Sequence, residues 1–339
     1  MSQTGGNRGV LERARLLRHE GHAFALALVT DTEGSTYRKP GALALVADDG
    51  SRLGTLSGGC LEPALDLLAR RALDEDRPQV GVFDTLGDDD LLFGSGSGCR
   101  GRMRVVAWPV RPDAPHPLFE ALLAAQSGGQ ALELAVHVDA DSSGQGQAWF
   151  GHERFSFGLP SDPDVAGWPT GLHASGGRLI ARLHVRPPPR LLLIGGGPEA
   201  PALLRLARTL GWYSAVGDHR PGLLDPTRLA DADALTCARP AAVLASGSLP
   251  PDAVLVMTHL ASADLEALRA LAMLPVAYVG LLGPPGRRDE LLAMLDDETR
   301  ARLKPRLRAP VGLPLGGEGP EAIALAIAAD LQRFFHGGP

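Results

Sequence analysis

The chain has 339 residues, enough for about two domains with their own cores, and a net charge of −6 from 33 Lys and Arg against 39 Asp and Glu. That charge repels a phosphate backbone, so nucleic-acid binding is not expected. Apolar residues at 45% and charged residues at 21% exclude a disordered chain, and no apolar run approaches the roughly 18–20 residues needed to span a bilayer.

In chain order, Val10, Leu11, Ala14, Leu17 and Gly21 recur at helical spacing and predict an amphipathic helix over 10–22. The apolar runs 23–30 and 43–47 predict buried strands, the second entering a turn at Asp48-Asp49-Gly50. Leu61, Leu65, Leu68 and Ala72 form one stripe of a helix over 61–74, with Pro63 in its first turn, where a missing N–H is harmless. Strands are expected at 80–83 and 103–108, a helix at 118–125, and a hairpin from 131–138 with its second limb starting near Gln147. Residues 158–177 carry many Pro, Gly, Ser and Asp and read as a long surface loop.

The segment RPPPR at 186–190 favours polyproline II and cannot enter a sheet interior, so the domain boundary is placed there. This gives an N-terminal α/β domain over 1–186 and a Rossmann-like parallel-sheet domain over 190–336. In the latter, strands at 191–194, 214–217, 253–258 and 277–282 are interleaved with helices at 199–210 and 263–273. Pro320, flanked by Glu318 and Glu321, marks the start of a C-terminal helix reaching Phe335.

Glycine is unusually frequent, at 42 residues, and three places concentrate it usefully. In LLLIGGGPEA, Gly195, Gly196 and Gly197 follow an apolar strand and open a helix, with Ala200 as the small third residue of a GxGxxA turn. Such a turn brings backbone close to a phosphate at a helix N-terminus. Asp218 lies 21 residues beyond Gly197, at the end of the next strand, where a ribose hydroxyl or another polar ligand edge is expected. Pro198 removes one N–H from the turn, and Arg220 is either a phosphate contact or a solvated loop residue. Thr258 and His259 end a strand whose carboxyl end should line the same crevice, whereas Tyr278, near Gly280 and Gly283, fits packing better.

The other two places hold cysteines. Cys60 in GTLSGGCLEP precedes a helix whose dipole would favour the thiolate, and Cys99 in GSGSGCRG has Arg100 beside it. Cys237, in ALTCARP, reads as a buried structural residue. No CxxC or CxxH pair suggests zinc, no GxSxG elbow suggests a serine hydrolase, and Asp88-Asp89-Asp90 reads as a solvated turn. The loop carrying Ser35, Thr36, Arg38 and Lys39 suits a grip on phosphate or a polar ring, a plain surface turn being the alternative. An odd number of distant cysteines and an N-terminus without an apolar signal segment fit free thiols in a cytoplasmic protein.

GSTYRKPGALALV, GTLSGGCLE, FGSGSGCRG, the THL strand end, AYVGLLGPPGRR and APVGLPLGGEGPEAIALAIAADL, in that order, resemble the XdhC/CoxI family, the xanthine dehydrogenase accessory proteins. The resemblance implies a cytoplasmic maturation factor without turnover of its own. Such a factor binds and protects molybdenum cofactor, assists a cysteine desulfurase in its sulfuration, and delivers it to a xanthine dehydrogenase-like molybdenum hydroxylase apo-enzyme. It further implies that Cys60 and Cys99 handle the cofactor or its sulfur. Gly195 to Gly197 with Asp218 would then seat the phosphate of molybdopterin or of its dinucleotide form. The family usually has histidine where Pro198 stands, glycine at Arg100, and an acid-histidine pair where Leu260 and Ala261 stand. The competing reading from the residues alone is an NAD(P)-dependent oxidoreductase built on GxGxxA and Asp218, and a third is a scaffold with a vestigial pocket. A homodimer is the base-rate expectation.

Overall fold

The computed structural model describes every residue except 1–2, 60, 85–100, 140–143, 159–164, 248 and 338–339. The chain divides into two compact units, Gly5–Pro187 and the part from Pro188 onward, the division falling inside the proline run.

In the first unit, α1 (Gly6–His19) buries Val10, Leu11, Ala14 and Leu17, the stripe its spacing predicts. β1 (Phe24–Gly34) lies antiparallel between β2 (Leu43–Ala47) and β5 (Gly101–Val110), and β3 (Arg52–Leu53) and β4 (Gln79–Asp84) flank them in the order β3-β2-β1-β5-β4. β1 outruns its apolar stretch: beyond an irregularity at Thr30, Asp31 and Glu33 face Arg104 and Arg102, pairing at 2.8 and 2.9 Å. Both faces of its apolar half are covered. Phe24, Leu26 and Leu28 join α1 and α3 (Pro117–Gly128), while Ala27 and Val29 meet Leu65, Leu68 and Ala72 of α2 (Glu62–Glu75). A strand buried on both sides reads as a continuous apolar run, not an alternation.

The rest of this unit is a second antiparallel sheet of β6 (Leu132–His137), β7 (Gly146–Phe150), β8 (Glu153–Phe157), β9 (Gly171–Ser175) and β10 (Arg178–Val185), ordered β8-β7-β6-β10-β9. Residues 158–177 are therefore not simply a surface loop. Within them β9 pairs with β10 across Gly176-Gly177, both at positive φ (+57° and +76°) as a two-residue primed hairpin turn requires. Val165, 2% exposed, closes a small cluster with Ala135 and Ile180. β9 is an edge strand of mostly exposed small residues, so no apolar pattern announced it.

The second unit has the architecture its interleaved pattern predicts, with several elements the sequence reading did not identify. In chain order it contains β11 (Arg190–Ile194), α4 (Ala200–Thr209), β12 (Tyr213–Asp218), β13 (Ala234–Cys237), α5 (Pro240–Ser246), β14 (Ala253–Val256), α6 (Ala261–Ala272), β15 (Tyr278–Leu281), α7 (Pro285–Ala293), α8 (Asp297–Leu303), β16 (Leu307–Arg308) and α9 (Pro320–His336). Among the described residues, its strands form one parallel sheet in the order β13-β12-β11-β14-β15-β16. Leu191, Leu193, Ala253 and Leu255 pack on one face with α4 and α9; Ile194, Val254 and Val256 pack on the other with α6 and α8. The order reverses between β11 and β14, and ligands of such sheets bind beyond the strand ends at that point. Among the described residues, no helix is long and apolar enough to cross a membrane.

Candidate functional site

The turn after β11 sits at this switch point. Gly195 has φ +123°, and a Cβ there would strike the Met257 carbonyl and come within 2.9 Å of the Thr258 nitrogen, so the turn passes against the end of β14. The Gly196 amide donates to Asp218 Oδ2 at 3.0 Å. The Gly196 and Gly197 carbonyls accept from Arg228, at 2.6 and 3.2 Å, and that guanidinium also donates to the Leu223 carbonyl at 2.6 Å. A Cβ at Gly196 would lie 2.5 Å from the Leu223 oxygen. The segment after β12 thus closes over the turn.

Asp218 differs from the ribose-binding role expected of it. Its side chain is wholly buried, and its two oxygens accept from the Gly196 amide, the Arg220 amide, and Arg220 Nε and Nη2, each at 2.9–3.0 Å. A carboxylate offers about four acceptor positions, so these four donors leave no lone pair for a sugar. Burial alone would raise the Asp218 carboxyl, but the Arg220 hydrogen bonds, the Gly196 amide and the Arg220 charge outweigh it and hold it below the usual carboxylate range. Asp218 is a brace that aims Arg220.

Thr258 is 1% exposed and also faces inward. Its hydroxyl donates to Asp264 Oδ1 at 2.6 Å and accepts from the Leu260 amide at 3.1 Å, its amide donates to the same Asp264 oxygen at 3.2 Å, and its carbonyl accepts from Arg220 Nη2 at 2.9 Å. Asp264, equally buried, takes Arg287 Nη2 on its other oxygen at 2.7 Å. His259 does face the crevice: it has φ +61°, its side chain is half exposed, and its Nε2 lies 3.3 Å from Glu199 Oε2. A Cβ at Gly197 would sit 3.1 Å from that carboxylate oxygen and 3.2 Å from that imidazole nitrogen. The position where a GxGxxA turn ordinarily receives a phosphate is occupied by this chain's own Glu199–His259 pair.

Sequence reasoning missed Glu199, Arg228, Asp264 and Arg287. Glu199 directly follows the turn and was legible by position; the other three arrive from distant segments. Tyr278 is packing, as its surroundings suggested: it is 2% exposed, its hydroxyl donates to Asp330 Oδ2 at 2.7 Å, and burial with that carboxylate pushes the phenol up. Cys237 differs from the buried residue expected. It is exposed at the end of edge strand β13.

In the first unit, the loop after β1 holds itself together. Thr36 Oγ1 donates to the Arg38 carbonyl at 2.9 Å, and Lys39 Nζ donates to Thr36 Oγ1 at 3.5 Å. Ser35 is exposed, and its carbonyl lies where a Gly101 side chain would be. Burial pushes the Arg38 guanidinium below its ordinary value, and among the described residues no carboxylate pairs with it. Cys60, Cys99, Arg100 and Asp88 to Asp90 lie outside the described residues.

The entrance to α2, next to Cys60, is nonetheless defined. The Ser57 hydroxyl donates to Glu62, the Ser57 amide donates to Glu62 Oε1 at 3.2 Å, and Ser57 Oγ accepts from the Gly59 and Leu61 amides at 3.2 and 3.0 Å. Burial works to raise the Glu62 carboxyl, but the Ser57 hydroxyl and amide more than cancel it, leaving it lowered. Ser57 thus ties Gly59 and Leu61 to Glu62 at the start of α2. Among the described residues, no group of three His, Cys, Asp or Glu side chains could hold a metal ion.

Known proteins share this construction. Residues 191–331 match the XdhC Rossmann domain and residues 17–84 match the XdhC and CoxI family. The chain is 29% identical over 321 residues to a probable xanthine dehydrogenase subunit of Bacillus subtilis, covering 90% of this chain and 91% of that protein. It is 24% identical over 340 residues to the molybdenum cofactor insertion chaperone PaoD of Escherichia coli, covering 97% and 88%. A crystal structure of a xanthine dehydrogenase from Bacillus halodurans superposes with a TM-score of 0.80 at 30% identity, over 97% of this chain and 96% of that one. The chain belongs to the XdhC and CoxI family.

Proposed function

We propose that this protein is an accessory factor of a xanthine dehydrogenase-type molybdenum hydroxylase. It binds molybdenum cofactor as cargo, protects it, assists its sulfuration with a cysteine desulfurase, and delivers it to the apo-enzyme. It works in the cytoplasm as a homodimer and performs no turnover of its own. The end-to-end similarity to an insertion chaperone supports the class of activity. The observation that carries the choice against an NAD(P)-dependent oxidoreductase is the saturated Asp218. A dinucleotide dehydrogenase needs that acid for the ribose and the Gly197 position for the pyrophosphate, and both are already filled by protein groups.

In this reading Cys60 and Cys99 are the thiols of the first unit that handle the cofactor or its sulfur. When bound, the cofactor supplies a sulfur-ligated metal, for which a thiolate is a suitably soft neighbour. Purified protein mixed anaerobically with molybdenum cofactor, or separately with NADH, is passed through gel filtration. Retention of the cofactor, weakened by Cys60→Ala and Cys99→Ala, is the expected result. Retention of NADH without the cofactor overturns the reading in favour of the oxidoreductase. Binding of the client enzyme with neither small molecule retained points to the scaffold.

A further inference from the structure

Two arginines at the crevice behave differently from their neighbours. Arg228 and Arg306 direct their guanidinium nitrogens onto backbone carbonyls, three for Arg228 and five for Arg306. Arg220 uses Nε and Nη2 on Asp218 and the Thr258 carbonyl, leaving Nη1 without a protein acceptor among the described residues. Among the described residues, Arg287 uses only Nη2, on Asp264, leaving Nε and Nη1. Each side chain is about one-third exposed, at 33% and 28%, and each is anchored by a carboxylate no more than 1% exposed.

The two anchors meet. Arg220 donates to the Thr258 carbonyl, and Thr258 donates to the Asp264 that holds Arg287. The arginines therefore flank the end of β14, beside His259, at the topological switch point. An anchored guanidinium has lost most of its rotamer freedom already, and its planar fork suits phosphate oxygens. Meanwhile Glu199 places a carboxylate, 7% exposed, at the glycine turn, where it repels an anion.

We propose that the crevice binds the phosphate or diphosphate group of its ligand through the free edges of Arg220 and Arg287, and not through the Gly195–Gly197 turn. This deepens the accessory reading, on which it rests for the identity of the natural cargo. The acid that a dinucleotide enzyme gives to ribose here orients the first arginine of the clamp, and Asp264 orients the second.

The test uses the full chain and inorganic pyrophosphate, titrated by calorimetry at low ionic strength. Arg220→Lys and Arg287→Lys keep the charge that neutralises the buried aspartates but lose the fork, and each should weaken binding about tenfold. Glu199→Gln should strengthen it severalfold by removing the repelling charge. Absence of saturable binding to the wild-type chain overturns the clamp. So does unchanged affinity in both lysine variants when circular dichroism shows them folded; in that case the arginines only neutralise buried acids. If a lysine variant fails to fold, the sign of the Glu199→Gln effect decides: unchanged or weaker binding overturns the proposal. Gel filtration with molybdenum cofactor separates the two levels. Pyrophosphate binding without cofactor retention leaves the clamp standing and removes the accessory reading, whereas cofactor retention undiminished in both lysine variants does the reverse.

Discussion

Two helices of this protein, α2 and α4, begin the same way and are finished differently. Each follows a glycine-containing loop, has proline near its start, and carries a glutamate at the junction. In α2, Glu62 turns back onto the loop and takes both the amide and the hydroxyl of Ser57. In α4, Glu199 turns toward the crevice and has His259 as its side-chain partner at 3.3 Å. The first carboxylate is bound by two groups of its own loop; the second pairs with an imidazole from beyond the end of β14. The same residue type at a helix start, as the first helical residue in α2 and as the residue just before the helix in α4, is used differently according to how many donors converge on it.

Several substitutions probe that contrast. The largest effect is expected at the turn before α4: Gly195→Ala must accommodate φ +123° and a backbone collision, costing on the order of 3 kcal/mol or more in urea unfolding. A cost below about 1 kcal/mol would show that β14 can retreat from the turn. Next, Glu62→Ala leaves the Ser57 amide and hydroxyl without their buried acceptor and should destabilise by about 2 kcal/mol. Glu199→Ala should stay within about 0.5 kcal/mol, because no backbone amide of the turn depends on it. Equal costs at the two glutamates would erase the distinction.

A third helix start supplies a pH test. His116 caps α3, its Nδ1 accepting from the Phe119 amide at 3.3 Å, and burial depresses its pKa from 6.5 to about 4, Arg18 adding to the effect. With the folded value below the unfolded one, the unfolded chain binds the proton first. This contribution to stability is complete above pH 6.5 and is lost as pH falls from 6.5 toward 4, by about 3 kcal/mol at the lower end. His116→Asn keeps a capping acceptor and should flatten the stability profile over that interval; an unchanged slope would show that other groups cause it. A smaller effect than at His116 is expected at Tyr278→Phe. Asp330 loses the phenol but keeps Arg333 at 2.8 Å, so the cost should be about 1 kcal/mol in thermal unfolding, with no change in pyrophosphate affinity.

The strands of the second unit were legible because helices cover both sheet faces, and a strand buried on both faces reads as an uninterrupted apolar run. β9 and β13 were not, since both are short edge strands whose side chains are largely outside the cores. The Gly176-Gly177 pair was in plain view as a hairpin signal, but the surrounding prolines and serines outweighed it. Spacing put Asp218 at the end of β12 and Gly195 directly after β11, whereas β14 ends at Val256, three residues before His259. It misjudged where the polar groups point. Asp218 and Thr258 turn inward because Arg220 and Asp264 offer them stronger partners than solvent does.

By itself the sequence determined the parallel α/β pattern of the second unit, its glycine turn and the family motifs, since these follow from local periodicity and ordered short segments. Only the tertiary structure decided that the turn is guarded by Glu199 and His259 and that two buried aspartates each hold an arginine by one edge. Those outcomes depend on which donors reach which acceptors across segments tens of residues apart, and hydrogen-bond saturation is a property of the assembled crevice.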